Sequence, residues 1–125
     1  MNLVDSSGWL EYLSDGKNAE SFAKPLGDIE GILVPTICIY EVFKVVLSES
    51  DENDALQTVA LMKQGNVVDL TIDIAIQAAK FSHDNQIPMS DSIIYTTGLI
   101  YNAGVWTQDE HFKDLPNVKY FPKQQ

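Results

Sequence analysis

The chain has 125 residues, enough for one domain with a real core, and 45% of them are hydrophobic, which excludes a disordered chain. It carries 18 acidic against 8 basic residues, for a formal net charge of −10. Every basic residue is a lysine, and the lysines are scattered along the chain, unlike the basic stripe of a dedicated nucleic-acid-binding protein.

The location expected from the sequence is the cytoplasm. No apolar run approaches the roughly 18 residues that span a bilayer, so no membrane contact is expected. The first residues lack the basic region of a signal peptide. The single cysteine, Cys38, has no partner for an intrachain disulfide, which fits a reducing compartment.

Short apolar runs alternate along the chain with stretches of helical periodicity, with no linker between them. The apolar runs predict five strands, at residues 3–4, 32–34, 67–68, 105–106 and 118–121. The helical stretches predict six helices, at residues 6–13, 18–24, 36–48, 51–65, 73–84 and 90–102. We therefore expect a single domain over residues 1–125.

Local signals predict where several of these helices begin and end. Ser6 or Ser7 is expected to cap the first helix, Thr36 the third and Asp51 the fourth. Pro25 and Gly27 are expected to stop the second helix. The third helix is apolar nearly all round, which predicts that it is mostly buried.

The strands are too short and too apolar to alternate polar and apolar residues, and helices separate them. This pattern is typical of an α/β fold whose mostly parallel sheet is covered on both faces. In such sheets, ligands bind outside the carboxyl ends of the strands.

Four acidic residues, Asp5, Glu41, Asp91 and Asp109, follow predicted strands or lie in helices that could face that edge. Clustered carboxylates repel one another and persist when a cation holds them together. Oxygen ligands of this kind suit Mg²⁺ or Mn²⁺, whose hydrolytic use includes phosphodiester cleavage.

Each of these acids also has a simpler interpretation. Asp5 and Asp91 lie where helix caps occur, and Asp109 lies in a sequence typical of a turn. Glu41 either pairs with Lys44 at i, i+3, or faces the metal and leaves Lys44 to contact a phosphate. Local pattern leaves these alternatives open.

The histidines carry less information. His83 is expected at the surface beside Asp84. His111 lies two residues after Asp109, close enough in sequence to touch a substrate, but a surface position is the safer prediction.

Four motifs in this order resemble the PIN-domain ribonucleases, in particular the VapC-type toxins of toxin–antitoxin pairs. They are Val4-Asp5-Ser6-Ser7, Val34-Pro35-Thr36 followed by Tyr40-Glu41, Ser90-Asp91-Ser92-Ile93-Ile94, and Trp106-Thr107-Gln108-Asp109-Glu110-His111-Phe112. Together they cover essentially the whole chain.

The resemblance implies a three-layer α/β/α sandwich with a parallel sheet of four or five strands. It implies that Asp5, Glu41, Asp91 and Asp109 bind Mg²⁺ or Mn²⁺, with Ser7 and Thr107 as polar supports. It also implies endonucleolytic cleavage of RNA, a homodimer, and inhibition by a small antitoxin, for which the acidic surface would suit a basic segment.

Two other functions remain open at this stage. One is an Mg²⁺-dependent phosphatase or phospho-acceptor domain that uses Asp5, although no late lysine is well placed for it. The other is a catalytically inactive binding or assembly module. The apolar stretches at residues 37–47 and 93–101 would then supply a dimer interface.

Overall fold

The centre of the fold is a five-stranded sheet in which every strand pairing is parallel. The computed structural model describes all 125 residues. The strands β1 to β5 are Asn2–Val4, Ile32–Pro35, Asn66–Val68, Gly104–Thr107 and Val118–Tyr120. Their spatial order is β3-β2-β1-β4-β5, so the predicted parallel sheet is confirmed.

Six α-helices flank the sheet and complete the three-layer α/β/α sandwich. Helices α1 to α6 are Ser6–Leu13, Ala19–Leu26, Thr36–Glu49, Glu52–Met62, Ile72–Asn85 and Met89–Ile100. Two short 3-10 turns, Ile29–Gly31 and Glu110–Phe112, were not predicted. None of the helices is both long enough and apolar enough to cross a lipid bilayer.

The three central strands explain the continuous apolar runs of the sequence. Leu3 and Val4 in β1, Leu33 and Val34 in β2 and Val105 in β4 are almost completely buried. A strand covered on both faces has no solvent side on which polar residues would alternate. The edge strands β3 and β5 are partly exposed.

The start of α1 differs from the prediction. Its cap is Asp5, not Ser6 or Ser7: Asp5 has extended backbone angles, and its Oδ1 accepts a hydrogen bond from the Gly8 amide at 2.9 Å. A carboxylate at this position satisfies one of the free amides of the first helical turn. The simple capping interpretation of Asp5 is therefore confirmed.

Three further boundaries can be compared. Asp51 caps α4 by accepting a hydrogen bond from the Asp54 amide, as predicted. The prediction for Thr36 is wrong, because α3 begins after Pro35 without any side-chain cap. Helix α2 includes Pro25 in its last turn and ends one residue later, since a proline there removes a single hydrogen bond.

Helix α3 is less buried than its composition predicts. Within it only Cys38 and Val42 are buried, while Tyr40 and Leu47 are exposed. The helix packs against α1, α4, α6 and β2, and these contacts leave part of its surface open.

The topology creates an opening between β1 and β4. From β1 the chain moves to β2 and β3 on one side, and α5 and α6 then return it to β4 on the other side. Such a switch point is where open α/β sheets bind ligands, at the carboxyl ends of the strands. Asp5 follows β1 and Thr107 ends β4 at this point.

Candidate active site

The innermost part of the site is formed by Asp5, Ser7 and Thr107, here called the inner group. Asp5 is only 2% exposed. Its Oδ1 accepts hydrogen bonds from the Ser7 hydroxyl at 2.8 Å and from the Gly8 amide, and its Oδ2 accepts one from the Thr107 hydroxyl at 2.6 Å. Three donors from two segments of the chain thus hold the carboxylate in one orientation.

The inner group also fixes the loop after β4. The Gln108 amide donates to Ser7 Oγ at 3.2 Å, and the Asp109 amide donates to Thr107 Oγ1 at 2.9 Å. Each hydroxyl therefore accepts a hydrogen bond from the loop and donates one to Asp5. The backbone amide of Asp109 is thus connected, through the Thr107 hydroxyl, to the buried carboxylate of Asp5.

Burial has a strong effect on Asp5. Desolvation raises its pKa to about 7, although the hydrogen bonds from Thr107, Gly8 and Ser7 lower it, and the charge of Asp109 adds to the rise. No positively charged group offsets this rise in the pKa of Asp5.

The second part of the site consists of Asp91, Asp109 and His111, here called the outer group. The Nδ1 atom of His111 lies 2.8 Å from Asp91 Oδ2 and 3.1 Å from Asp109 Oδ1. One ligand atom from each residue lies within 4.8 Å of the others. Asp91 comes from the first turn of α6, and the other two come from the loop after β4.

The structure tests the simpler interpretations of Asp91 as a helix cap and of Asp109 as a turn residue. Its carboxylate does not cap α6, so the capping interpretation is wrong for this acid. The turn interpretation of Asp109 is confirmed, because its carboxylate accepts a hydrogen bond from the His111 amide at 2.9 Å.

Electrostatic coupling connects the outer group to the other acids. Desolvation, together with the charges of Asp109 and Glu41, raises the pKa of Asp91 to about 6 against the opposing effect of His111. Desolvation lowers the pKa of His111, but the charges and hydrogen bonds of Asp109 and Asp91 outweigh it and raise that pKa above its usual value.

Glu41 lies in the second turn of α3 and is held by a different partner. Its Oε1 accepts a hydrogen bond from the Ser6 hydroxyl at 2.7 Å. The ion pair with Lys44 does not form, so the simple interpretation of Glu41 is wrong. Lys44 is exposed, with its Nζ 5.9 Å from the ring centre of Tyr40.

The residues at the site fit a divalent cation. The acids at positions 5, 41, 91 and 109 influence one another electrostatically, and no lysine pairs with any of them. Carboxylate oxygens are the ligands that Mg²⁺ and Mn²⁺ prefer. Desolvation is the main cause of the raised pKa values of Asp5 and Asp91, with a smaller contribution from neighbouring negative charges, and a bound cation would offset both effects.

The four candidate acids differ in how close their carboxylate oxygens lie to one another. Asp91 and Asp109 share the closest group of ligand atoms, whereas Asp5 and Glu41 lie outside it. Their assignment as metal ligands stays a prediction. The sequence placed His111 near Asp109 but did not predict its contacts with both acids, and the hydrogen bond from Gly8 to Asp5 had no signal in the sequence.

Comparison with known proteins identifies the family. A family model described as the PIN domain matches residues 3–118, nearly the whole chain. The chain belongs to the PIN domain family. No curated protein sequence matches this PIN domain significantly.

Several solved structures share this PIN fold. A toxin–antitoxin complex from Klebsiella pneumoniae has a TM-score of 0.83 at 17% identity, with 98% of this chain and 99% of that chain covered. VapC20 of Mycobacterium tuberculosis, described as a toxin that cleaves the sarcin–ricin loop, has a TM-score of 0.79 at 12% identity, covering 98% and 100%. DNA-bound VapBC from Salmonella typhimurium has a TM-score of 0.74 at 12% identity, covering 98% of each chain.

Two clefts flank the site in this PIN domain. One, of about 480 Å³, is lined by residues that include Ser7, Asp109, His111 and Lys123. The other, of about 410 Å³, lies along α3 and includes Tyr40, Glu41 and Lys44. Asp109 and Glu41 therefore each border an open cleft.

Proposed function

We propose that residues 1–125 form a single PIN domain that acts as a metal-dependent endoribonuclease, the toxin of a VapBC-type toxin–antitoxin pair. The observation that carries this proposal is the close group of Asp91, Asp109 and His111, whose acids interact electrostatically with Asp5 and Glu41 and have no lysine partner. Family membership and the similarity to VapC structures support the reaction class.

Asp5, Glu41, Asp91 and Asp109 would hold Mg²⁺ or Mn²⁺, directly or through water. Such an ion supplies a water of lowered pKa and offsets the charge that develops on the phosphate. Ser7 and Thr107 keep Asp5 oriented and also fix the loop that carries Asp109. No side-chain nucleophile is required for hydrolysis.

RNA would extend from the acids into the two flanking clefts. Lys123 lines the first cleft and Lys44 the second, and both can contact phosphates. Tyr40 is 60% exposed beside Lys44 and offers a surface on which a base can stack. These local contacts would offset the overall charge of −10.

The acidic surface supports a basic protein partner. A small antitoxin with a basic segment would be attracted by the net charge of −10 and by the four acids at the site. The similar Klebsiella structure is described as a toxin–antitoxin complex and the similar Salmonella structure as DNA-bound VapBC.

A homodimer is also proposed, with a revised interface. The stretch from Ser92 to Gly98 in α6 is buried within the chain and is not available to a partner. In α5, by contrast, Ile72 is 81% exposed and Ile76 is 64% exposed, and both lie on one helical face. Sedimentation of an Ile72→Asp, Ile76→Asp variant tests this interface, since a dimer held by this face would dissociate.

The phospho-acceptor alternative is disfavoured by the surroundings of Asp5. Both of its carboxylate oxygens accept hydrogen bonds, and the side chain is 2% exposed. An attacking carboxylate needs an oxygen directed at its substrate.

The nuclease proposal is tested with a mixed RNA pool, with and without Mn²⁺ or Mg²⁺. Asp91→Asn removes the acid of the outer group that has no capping role. Asp84→Asn is the matched control, because Asp84 also contacts a histidine, His83, but in an exposed pair at the end of α5. We expect metal-dependent cleavage that Asp91→Asn reduces at least about a hundredfold and Asp84→Asn leaves unchanged.

The outcomes separate the remaining functions. Equal cleavage by wild type and Asp91→Asn would contradict the proposed site. Absence of cleavage by a folded protein that metal stabilises would favour a binding module, because a ligand of the folded state raises its stability whether or not it supports chemistry.

A further inference from the structure

The side chain of His111 contacts two of the acids at once. Its Nδ1 lies 2.8 Å from Asp91 Oδ2 and 3.1 Å from Asp109 Oδ1, although half of the side chain is exposed. The chain has one other histidine, His83, which is 89% exposed and contacts only its neighbour Asp84. The other histidine of the chain therefore makes no contact of this kind.

Without a metal, Nδ1 of His111 donates its hydrogen to these carboxylates, and the same two distances are compatible with ligands around one ion. Neighbouring ligands of an octahedral ion with bonds of about 2.1 Å lie about 3 Å apart, and opposite ligands about 4.2 Å apart. The two distances from Nδ1 match the first value, and all three atoms lie within 4.8 Å of one another. One cation can therefore contact all three with only small side-chain movements.

The backbone holds His111 in this position. Its amide donates to Asp109 Oδ1, which begins the 3-10 turn Glu110–Phe112. The next residue, Phe112, is completely buried and packs near Tyr95 of α6, the helix that carries Asp91. The turn is thus anchored in the core beside the helix that supplies the partner acid.

We propose that His111 Nδ1 is a direct metal ligand together with Asp91 and Asp109, so that the centre has mixed nitrogen and oxygen ligands and prefers Mn²⁺ to Mg²⁺. This inference rests on the proposed function, in which these acids bind a divalent ion. Imidazole suits transition metals, whereas Mg²⁺ favours oxygen ligands and keeps its water. Ligation through Nδ1 uses the neutral ring, with its hydrogen on Nε2.

The decisive experiment measures the electron spin-echo modulation of Mn²⁺ bound to the full chain. A directly bound imidazole gives a nitrogen signal, and carboxylates do not. We expect this signal in wild type, its loss in His111→Gln and its retention in His83→Gln, the matched control. Mn²⁺ bound to wild type without a nitrogen signal, or a signal that survives His111→Gln, would overturn the inference.

Calorimetric titration with each metal supplies a second readout. In His111→Gln we expect Mn²⁺ affinity to fall at least about tenfold and Mg²⁺ affinity to change much less. An equal fall for both metals would contradict the selective role of the nitrogen ligand. His111→Glu, which offers oxygen in place of nitrogen, should shift the preference toward Mg²⁺.

These measurements also separate the two proposals from each other. If Mn²⁺ binds through carboxylates alone and RNA is cleaved, the role of His111 is wrong and the nuclease proposal stands. If wild type binds neither metal, or if Asp91→Asn binds Mn²⁺ as well as wild type, the proposed centre itself is wrong.

Discussion

The inner and outer groups of the site hold their acids in opposite ways. In the inner group, Asp5 is buried and accepts three hydrogen bonds, from Ser7, Gly8 and Thr107. In the outer group, Asp91 is partly exposed and its carboxylate contacts His111, a side chain that is half exposed.

This difference gives Asp5 a role in the fold that Asp91 does not have. Removing Asp5 would leave the hydroxyls of Ser7 and Thr107 without their acceptor and α1 without its cap, so this acid contributes to the fold as well as to the site. Removing Asp91 would break no capping hydrogen bond, because α6 has no side-chain cap. The effects of substitution on stability and on metal binding should therefore differ between the two groups.

The largest contrast is expected from alanine substitutions in metal-free buffer. Asp5→Ala should lower the free energy of unfolding by about 3 kcal/mol, because it removes a helix cap and leaves buried hydroxyls unpaired. Asp91→Ala should cost less than about 0.5 kcal/mol, or stabilise, because charge repulsion falls. Urea denaturation measures both values. Equal losses would show that the two groups do not differ in this way.

The pH dependence of stability should reveal the same acids. The folded protein raises the pKa of Asp5 from 3.8 to about 7 and that of Asp91 from 3.8 to about 6. Their stabilising contribution is therefore complete below about pH 4 and is lost as the pH rises through 6 and 7. The pKa of His111 is raised too, so its stabilising contribution is likewise lost as the pH rises above the usual pKa of a histidine.

Melting temperatures between pH 5 and pH 8 test this expectation. Without metal the melting temperature should fall as the pH rises, and Asp5→Asn should flatten the slope. The stabilisation by Mn²⁺ should grow over the same range, because the ion binds the deprotonated acids. A melting temperature that rises with pH in metal-free wild type would contradict the burial of uncompensated acids.

Gly8 provides a smaller test of the inner group. A Cβ atom at this position would lie 2.6 Å from Val4 Cγ1 and 2.8 Å from Phe22 Cδ1, and both side chains are fully buried. Gly8→Ala should therefore destabilise by about 1–3 kcal/mol. The matched control is Gly104→Ala, whose Cβ would meet no atom closer than 3.8 Å. Denaturation midpoints of the two variants should differ accordingly.

The smallest effect is expected at the edge of the site. Lys44→Ala should raise the KM for RNA about threefold with little change in kcat, since an exposed contact to a phosphate contributes little energy. Lys80→Ala, an exposed lysine on α5, should leave KM unchanged. A large fall in kcat on Lys44→Ala would instead place this lysine at the reacting phosphate.

Much of the fold could be predicted from local patterns. Apolar runs such as Leu3-Val4 and Val105-Trp106 identified central strands, because a doubly covered strand needs apolar residues on both faces. Asp51 identified the start of α4. The wrong boundaries, at Thr36 and Pro25, occurred where local preferences are weak compared with the packing of the whole chain.

The candidate site could be predicted only in part. The resemblance of four motifs to one family indicated the acids as candidates, and the family match over residues 3–118 confirms the family. The sequence did not indicate that Glu41 bonds to Ser6 rather than to Lys44. Nor did it show that His111 contacts Asp91, because twenty residues separate them along the chain.

The sequence by itself determined a parallel α/β domain with acids placed to meet at one edge of its sheet. Only the tertiary structure decided which of those acids are neighbours and which are supports. The physical reason is the strand order: β4 pairs with β1, although the two strands are about a hundred residues apart in sequence. That pairing joins Thr107 to Asp5, fixes the loop that carries Asp109, and so places His111 beside Asp91.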